Sequence, residues 1–403
     1  MMNRRVVVTG LGPVSSIGTG IDVFAAALRA GRSGITPIAS FDTTGFVTER
    51  AGEVHEFQPY DMVSRIDPAE WGRSSLFAAA AARLALTDAG ALDVAAGSAR
   101  VGVCMGTTSG ESQVVERLTE HWLRDGYRPT PRSLARQMPA GRVAEAVSRE
   151  LDLRGTTTTV STACSASNYA LGYAFDAIAA GDQDYMIVGG ADSVCRWAHA
   201  GFYRLGALAA ERCAPFDRDR AGVITAEGGV ALFLESLDSA QARGARIYCE
   251  VLGYGLTCDA KHPTAPDAAS VARCMRLAHR DAGIKPDEVD FICAHGTATP
   301  ANDAAEYEAV REVFGDRLPP MSSVKSMLGH TMGAASGFSA VAAALALSSG
   351  FLAPTINHLT TDPAMPGLDV VPNRARPAQA QIVQVNGFAF GGNNAITILG
   401  RLA

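Results

Sequence analysis

The sequence predicts an α/β fold, and three observations carry that prediction. Short apolar runs of strand length alternate with stretches of helical periodicity along the whole chain. Several runs end in glycine followed by small polar residues, as in Thr9-Gly10-Leu11-Gly12, Met105-Gly106-Thr107-Thr108 and Val188-Gly189-Gly190-Ala191. No linker rich in Pro, Ser or charge divides the chain, so two halves, 1–245 and 246–403, are expected to share one core and to meet near Ala245.

Strands are expected at 5–9, 100–105, 185–188, 230–234, 248–254, 290–294, 382–385 and 395–399. Helices are expected at 22–30, 74–89, 164–180, 268–282, 303–314 and 331–349. The first strand rests on Val6-Val7-Val8, and the 164–180 helix on Tyr169, Ala170, Tyr173, Ala174 and Ile178, with Gly181 ending it. The stretch from Ala334 to Leu352 is rich in Ala, Ser and Gly and suits a buried helix better than a membrane span. In open α/β sheets, loops after the carboxyl ends of strands build the active site.

The chain is 47% hydrophobic over 403 residues, ample for a large core. A net charge of -6 with scattered basic residues leaves no electrostatic footprint for nucleic acid. Cys104, Cys164, Cys195, Cys213, Cys249, Cys258, Cys274 and Cys293 form no CxxC pair, which suggests free thiols in a reducing cytoplasm. Met1 to Arg5 followed by three valines is too short for a signal segment. No close cluster of Cys and His suggests a metal site, and no phosphate-binding glycine motif suggests a nucleotide.

Cys164 is the leading candidate for chemistry. It follows a Thr-rich run of strand character, Thr159-Val160-Ser161-Thr162-Ala163, and opens the expected helix. Backbone N–H groups and the helix dipole favour an anion there, so its thiol is expected to ionise more easily than a free one. Three later segments bear on it: Cys293-Ala294-His295-Gly296-Thr297-Ala298-Thr299, Val324-Lys325-Ser326-Met327-Leu328-Gly329-His330, and Gly387-Phe388-Ala389-Phe390-Gly391-Gly392-Asn393. Singly, a strand-end histidine is usually structural, a lysine solvated and a Gly/Phe loop a turn. Together they offer a nucleophile, two imidazoles, a fixed cation and a movable aromatic, a coherent set for acyl transfer through a thioester.

These motifs, with Ser161-Thr162-Ala163-Cys164-Ser165 and the loops 215–222 and 259–266, resemble the β-ketoacyl synthase family in order and spacing over essentially the whole chain. The group most like it is the discrete elongating synthases of the 3-oxoacyl-ACP synthase II type. The resemblance implies a thiolase-like, five-layered αβαβα sandwich of two similar halves. It implies an acyl carrier protein as partner and a dimer, either of two copies or with a related ketosynthase-like subunit. It also implies that Cys164 takes the acyl group, that His295 and His330 assist loss of CO2 from malonyl-carrier protein, and that the N–H groups of Cys164 and Phe390 form an oxyanion hole. Lys325 would pair with Glu306, and Phe388 and Asn394 would support the loop. Thr297, Thr299, Thr264, Phe202 and Ser109 would meet substrate or its pantetheine arm. No cofactor or metal is implied.

Three departures bear on which synthase this is. Ala389 replaces a glycine of the usual Gly-Phe-Gly-Phe-Gly-Gly gate, which suggests a stiffer Phe390. No acidic residue stands between Gly329 and Gly350. Thr107-Thr108-Ser109 follows Gly106 where a bulky apolar residue is usual. Together they favour a specialised type II polyketide or polyene synthase over one of fatty-acid synthesis. The rival expectation is a non-catalytic, chain-length-controlling partner subunit, and Cys164 with both histidines argues against it.

Overall fold

The computed structural model describes residues 4–127 and 129–402, so part of the Met1 to Arg5 segment lies outside the described residues. Ten strands form the main sheet path: β1 (Val6–Ser15), β2 (Val101–Gly106), β3 (Thr157–Val160), β4 (Tyr185–Asp192), β5 (Gly228–Ser236), β6 (Cys249–Cys258), β7 (Phe291–Cys293), β8 (Met321–Ser322), β9 (Ile382–Gly387) and β10 (Asn393–Gly400). Hydrogen bonding runs β8-β7-β9-β10-β6-β1-β5-β4-β2-β3. Cut between β6 and β1, this path gives two runs of the same strand order. The senses repeat as well: β2 pairs parallel with β3 and β4, and β7 with β8 and β9, while the other pairs are antiparallel. The runs join where Val6, Val7 and Val8 pair with Val251, Glu250 and Cys249.

Nine helices matter here: α1 (Ile21–Ala30), α2 (Arg73–Asp88), α3 (Ser112–Asp125), α4 (Arg142–Glu150), α5 (Ala166–Ala180), α6 (Arg196–Arg204), α7 (Ala268–Asp281), α8 (Pro300–Phe314) and α9 (Ala335–Ser349). Period-two alternation sends β2's Val101, Val103 and Met105 outward against Ala78, Ala82, Val143 and Val147 of α2 and α4. It sends Cys104 inward, with Leu232 and Val385, against Ala170, Ala174, Phe338 and Val341 of α5 and α9. On the far side, Ile292, Ile396 and Ile398 meet Val271, Met275 and Val310 of α7 and α8. The layers are therefore α, β, α, β, α, the expected sandwich.

The inner helices can be central because their residues are small. The apolar stretch Met332–Ser349 has the length and composition to cross a membrane, yet 89% of it is buried in this core. The expectation left α3, α4 and α6 out. Each is amphipathic, and α3 and α6 bury only a few residues, such as Val114 and Leu118 in α3. All eight cysteines are free thiols.

Candidate active site

Cys164 sits in a 3-10 turn, Ala163–Ser165, that links β3 to α5. Ala163 holds φ 50°, a left-handed conformation that costs a non-glycine residue about 1 kcal/mol or more. Gly106 makes room for this turn: a Cβ there would stand 2.5 Å from the Ala166 carbonyl carbon. The thiol is buried, and burial pushes its pKa up to about 11. Lys325 and the backbone N–H groups of Cys164 and Phe390 pull it down, and Asp192 adds to the rise. The easily ionised thiol expected from the helix start is therefore corrected. Helix-terminus stabilisation is modest, and loss of water outweighs it.

His295 follows β7 and His330 precedes α9, and their rings lie 5.8 Å apart at 83°. Burial first, then the charge of Lys325, holds both well below the usual histidine value, so both are neutral near pH 7. The N–H of Met332 donates to Nδ1 of His330 at 3.0 Å. That contact uses the Nδ1 lone pair, so the ring proton is on Nε2 and can be donated to an oxygen. Phe388 packs 5.4 Å from His295, while Phe202 lies 6.2 Å from His330 and 5.8 Å from Phe390.

The turn carrying His295 is gripped from below. Glu306 of α8 accepts from the N–H groups of His295 and Gly296, each at 2.8 Å. Asp303 accepts from the N–H of Thr297 at 3.1 Å and of Ala298 at 3.2 Å, and from the Phe216 N–H at 2.7 Å. Lys325, 2% exposed, donates from Nζ to the His295 carbonyl oxygen at 2.6 Å. The expected Lys325–Glu306 ion pair is corrected: among the described residues no such pair forms, and Lys325 Nζ bonds the His295 carbonyl while Glu306 takes the N–H groups of His295 and Gly296 and the Asn386 amide. Burial lowers the Lys325 pKa and raises that of Glu306, with each charge opposing the shift on the other.

Cys164, His295, His330, Phe202, Phe388, Phe390, Thr264, Thr297 and Thr299 all line one cavity of about 60 Å³. That volume holds a water or two, whereas small-molecule sites usually measure roughly 300 Å³ or more, so the cavity is narrow as it stands. Phe390, 38% exposed at the mouth, is the piece best placed to move. Ala389 has φ -142°, extended backbone that alanine adopts freely, while Gly391 and Gly392 hold φ 83° and 78°. The backbone freedom of this loop lies after Phe390.

Four expected residues lie off the lining: Lys325 and Glu306, which hold the His295 turn, and Asn394 and Ser109. Asn394 is buried beside the cavity and donates to Thr257 Oγ1 at 3.2 Å and to Asp259 Oδ1 at 2.7 Å. Ser109 is also off the cavity lining, in the loop after β2, with its N–H donating to Asp192 at 3.2 Å. Asp192 itself carries no motif, yet it accepts from the Thr107 hydroxyl and from the N–H groups of Thr108 and Gly333, each at 2.7 Å. It thereby ties the loop after β2 to the turn after His330. Its only trace in the sequence is its place behind the glycine-ended run Val188-Gly189-Gly190-Ala191.

The family model described as Beta-ketoacyl synthase, N-terminal domain matches residues 3–240, and the C-terminal domain model matches residues 248–359. The chain is 36% identical over 407 residues to 3-oxoacyl-[acyl-carrier-protein] synthase 2 of Staphylococcus aureus (strain COL), covering 98% of each. It is 36% identical over 417 residues to the protein of that name from Coxiella burnetii (strain RSA 493 / Nine Mile phase I), covering 100% of each. A solved structure described as the ishigamide ketosynthase/chain length factor matches with TM-score 0.97 at 51% identity over 100% of both chains. One of a type II PKS acyl-carrier protein in complex with its ketosynthase bound to the hexaketide matches with TM-score 0.90 at 30% identity, over 99% of this chain and 100% of that one.

Proposed function

The chain belongs to the β-ketoacyl synthase family of acyltransferases, and on that premise we propose that it condenses a carrier-bound acyl chain with malonyl-carrier protein in a specialised type II polyketide or polyene pathway. The observation that carries this reading is the convergence of Cys164, His295 and His330 on one cavity.

In the first step the Cys164 sulfur attacks the acyl thioester of the carrier's pantetheine. The carrier's C–S bond breaks, and the proton lost by Cys164 ends on the departing pantetheine sulfur. The N–H groups of Cys164 and Phe390, both facing the sulfur, are placed to bind the oxyanion, and losing one such donor typically raises a barrier by about 3 kcal/mol. In the second step malonyl-carrier protein loses CO2, and the electron pair of the broken C–C bond forms an enolate. Neutral His295 and His330 can each hydrogen-bond its oxygen through a ring N–H, with no proton transferred. The enolate carbon then attacks the Cys164 thioester, the thiolate leaves, and a 3-oxoacyl chain two carbons longer remains on the carrier. These steps ask for no metal or cofactor.

The polyketide tilt is supported by 51% identity to the ishigamide ketosynthase/chain length factor, against 36% to the two synthase 2 relatives. The acyl-carrier protein complex supports a carrier partner, and the ketosynthase/chain length factor supports a dimer, with a second copy or a related subunit. The test is a panel of acyl-carrier proteins. Faster elongation of unsaturated or oxygenated chains than of saturated ones is expected. Preference for saturated medium-length chains would return the chain to fatty-acid synthesis, and failure to acylate Cys164 at all would favour the non-catalytic partner subunit.

A further inference from the structure

A line of buried polar side chains runs through the outer apolar layer of the second half to the turn that carries His295. His279 of α7 is 3% exposed, and Gln384 and Asn386 of β9 are fully buried. None of the three lines the cavity. Their surroundings are apolar, with Ile292, Val310, Ile396 and Ile398 in the same cluster, so nothing about packing calls for polar groups here. His279 Nε2 lies 2.7 Å from Gln384 Oε1, Gln384 Nε2 donates to Asn386 Oδ1 at 2.8 Å, and Asn386 Nδ2 donates to Glu306 Oε1 at 2.8 Å.

The direction of the line follows from its end. A carboxylate only accepts, so Asn386 turns its amide N–H to Glu306 and its carbonyl away. Gln384 must then donate to that carbonyl, and His279 must donate from Nε2. Nδ1 of His279 has no partner, as that tautomer leaves it. Every group dipole thus points its positive end toward Glu306, and aligned hydrogen bonds strengthen one another. Glu306 in turn holds the N–H groups on both sides of the His295–Gly296 peptide, while Lys325 holds the His295 carbonyl.

We propose that His279, Gln384 and Asn386 are positioning residues that keep Glu306 a fixed acceptor and so hold His295 in place for loss of CO2. Burial alone favours the protonated form of Glu306, and the line opposes it. Gly296, at φ 37°, is the joint that would loosen if one of those acceptor contacts were lost. The inference rests on the condensing role proposed for His295 above.

The experiment uses the full chain and measures two reactions separately: CO2 release from malonyl-carrier protein and acylation of Cys164 by an acyl-carrier protein. In Gln384→Leu, kcat for CO2 release should fall roughly 5- to 20-fold, with KM and the acylation rate within about twofold. The paired variant H279L/Q384L removes the polar groups together, so it should fold with a near-normal melting point and still show the loss. His279→Gln keeps a donor where Nε2 stands and should retain most of the wild-type kcat. Wild-type CO2 release by the folded paired variant, or an equal loss in both reactions, would overturn the inference. A wild type that neither acylates nor releases CO2 would sink the functional reading and this inference with it.

Discussion

The two halves repeat one strand order, and the turns leading into the inner helices are near copies. Before α5 the chain reads Thr162-Ala163-Cys164-Ser165-Ala166-Ser167, and before α9 it reads Thr331-Met332-Gly333-Ala334-Ala335-Ser336. Both turns are 3-10, and both strain the residue after threonine, Ala163 at φ 50° and Met332 at φ 52°. They clasp each other: Ser167 Oγ donates to the Gly333 carbonyl at 2.6 Å, and the Asn168 N–H donates to Ser336 Oγ at 3.1 Å. Yet the position of Cys164 is taken in the second turn by Gly333. A Cβ on Gly333 would stand 2.5 Å from Thr107 Cα and 2.7 Å from Asp192 Oδ2. One fold, used twice, gives two helix starts at the centre of the molecule, and only one has space for a nucleophile. The other half supplies the histidines and the buried lysine.

This division of labour can be broken cleanly. Cys164→Ala should cut condensation by on the order of 10⁴-fold or more, because the covalent acceptor is gone. Malonyl decarboxylation, which the proposed mechanism assigns to the histidine half, should survive within about 10-fold, and measuring CO2 and 3-oxoacyl product in parallel separates the two. Conversely, His330→Ala should lower CO2 release by roughly 10²- to 10⁴-fold while Cys164 still takes an acyl group, as mass spectrometry of the intact protein would report.

Gly333→Ala tests the asymmetry itself. Overpacking against Thr107 and Asp192 should cost about 1–3 kcal/mol and lower the melting temperature. An unchanged melting temperature would mean that the second turn has room for a side chain after all. The Cys164 thiol offers a subtler check. A pKa raised to about 11 leaves the thiolate fraction climbing about tenfold per pH unit up to about pH 9.5, so alkylation at Cys164 should keep rising across that range. A plateau near neutrality would show instead that the second half ionises the thiol in the resting enzyme. Smallest of all should be Ala389→Gly, whose effect on turnover is expected within about twofold, since Ala389 already rests in extended backbone.

The sequence was legible where apolar runs were long and unlike their flanks, and it misled at glycines. Gly10 and Gly12 read as a turn after a short strand, but both belong to β1, which continues to Ser15. They pair with Phe233 and Ala231 of β5, and they are glycine because α2 presses on them: a Cβ on Gly12 would meet the Ala81 carbonyl oxygen at 2.0 Å. Gly189 and Gly190 likewise lie inside β4. At the site, Cys164, His295, Lys325 and His330 stood out because each sits in a distinctive local motif. Asp192, Asp303 and the His279–Gln384–Asn386 line did not. Their work is to hold loops that are distant in sequence, and only the folded chain brings donor and acceptor together.

The most direct test of the division between halves is a two-step single turnover. The protein is first given acyl-carrier protein alone, and the intact mass and the peptide containing Cys164 are recorded. Malonyl-carrier protein is then added, and CO2, 3-oxoacyl product and the peptide mass are followed together. The expected result is one acyl group on Cys164 in the first step, discharged in the second with one CO2 per product. Product formed without an acyl group on Cys164, or an acyl group that malonyl-carrier protein cannot discharge, would contradict it.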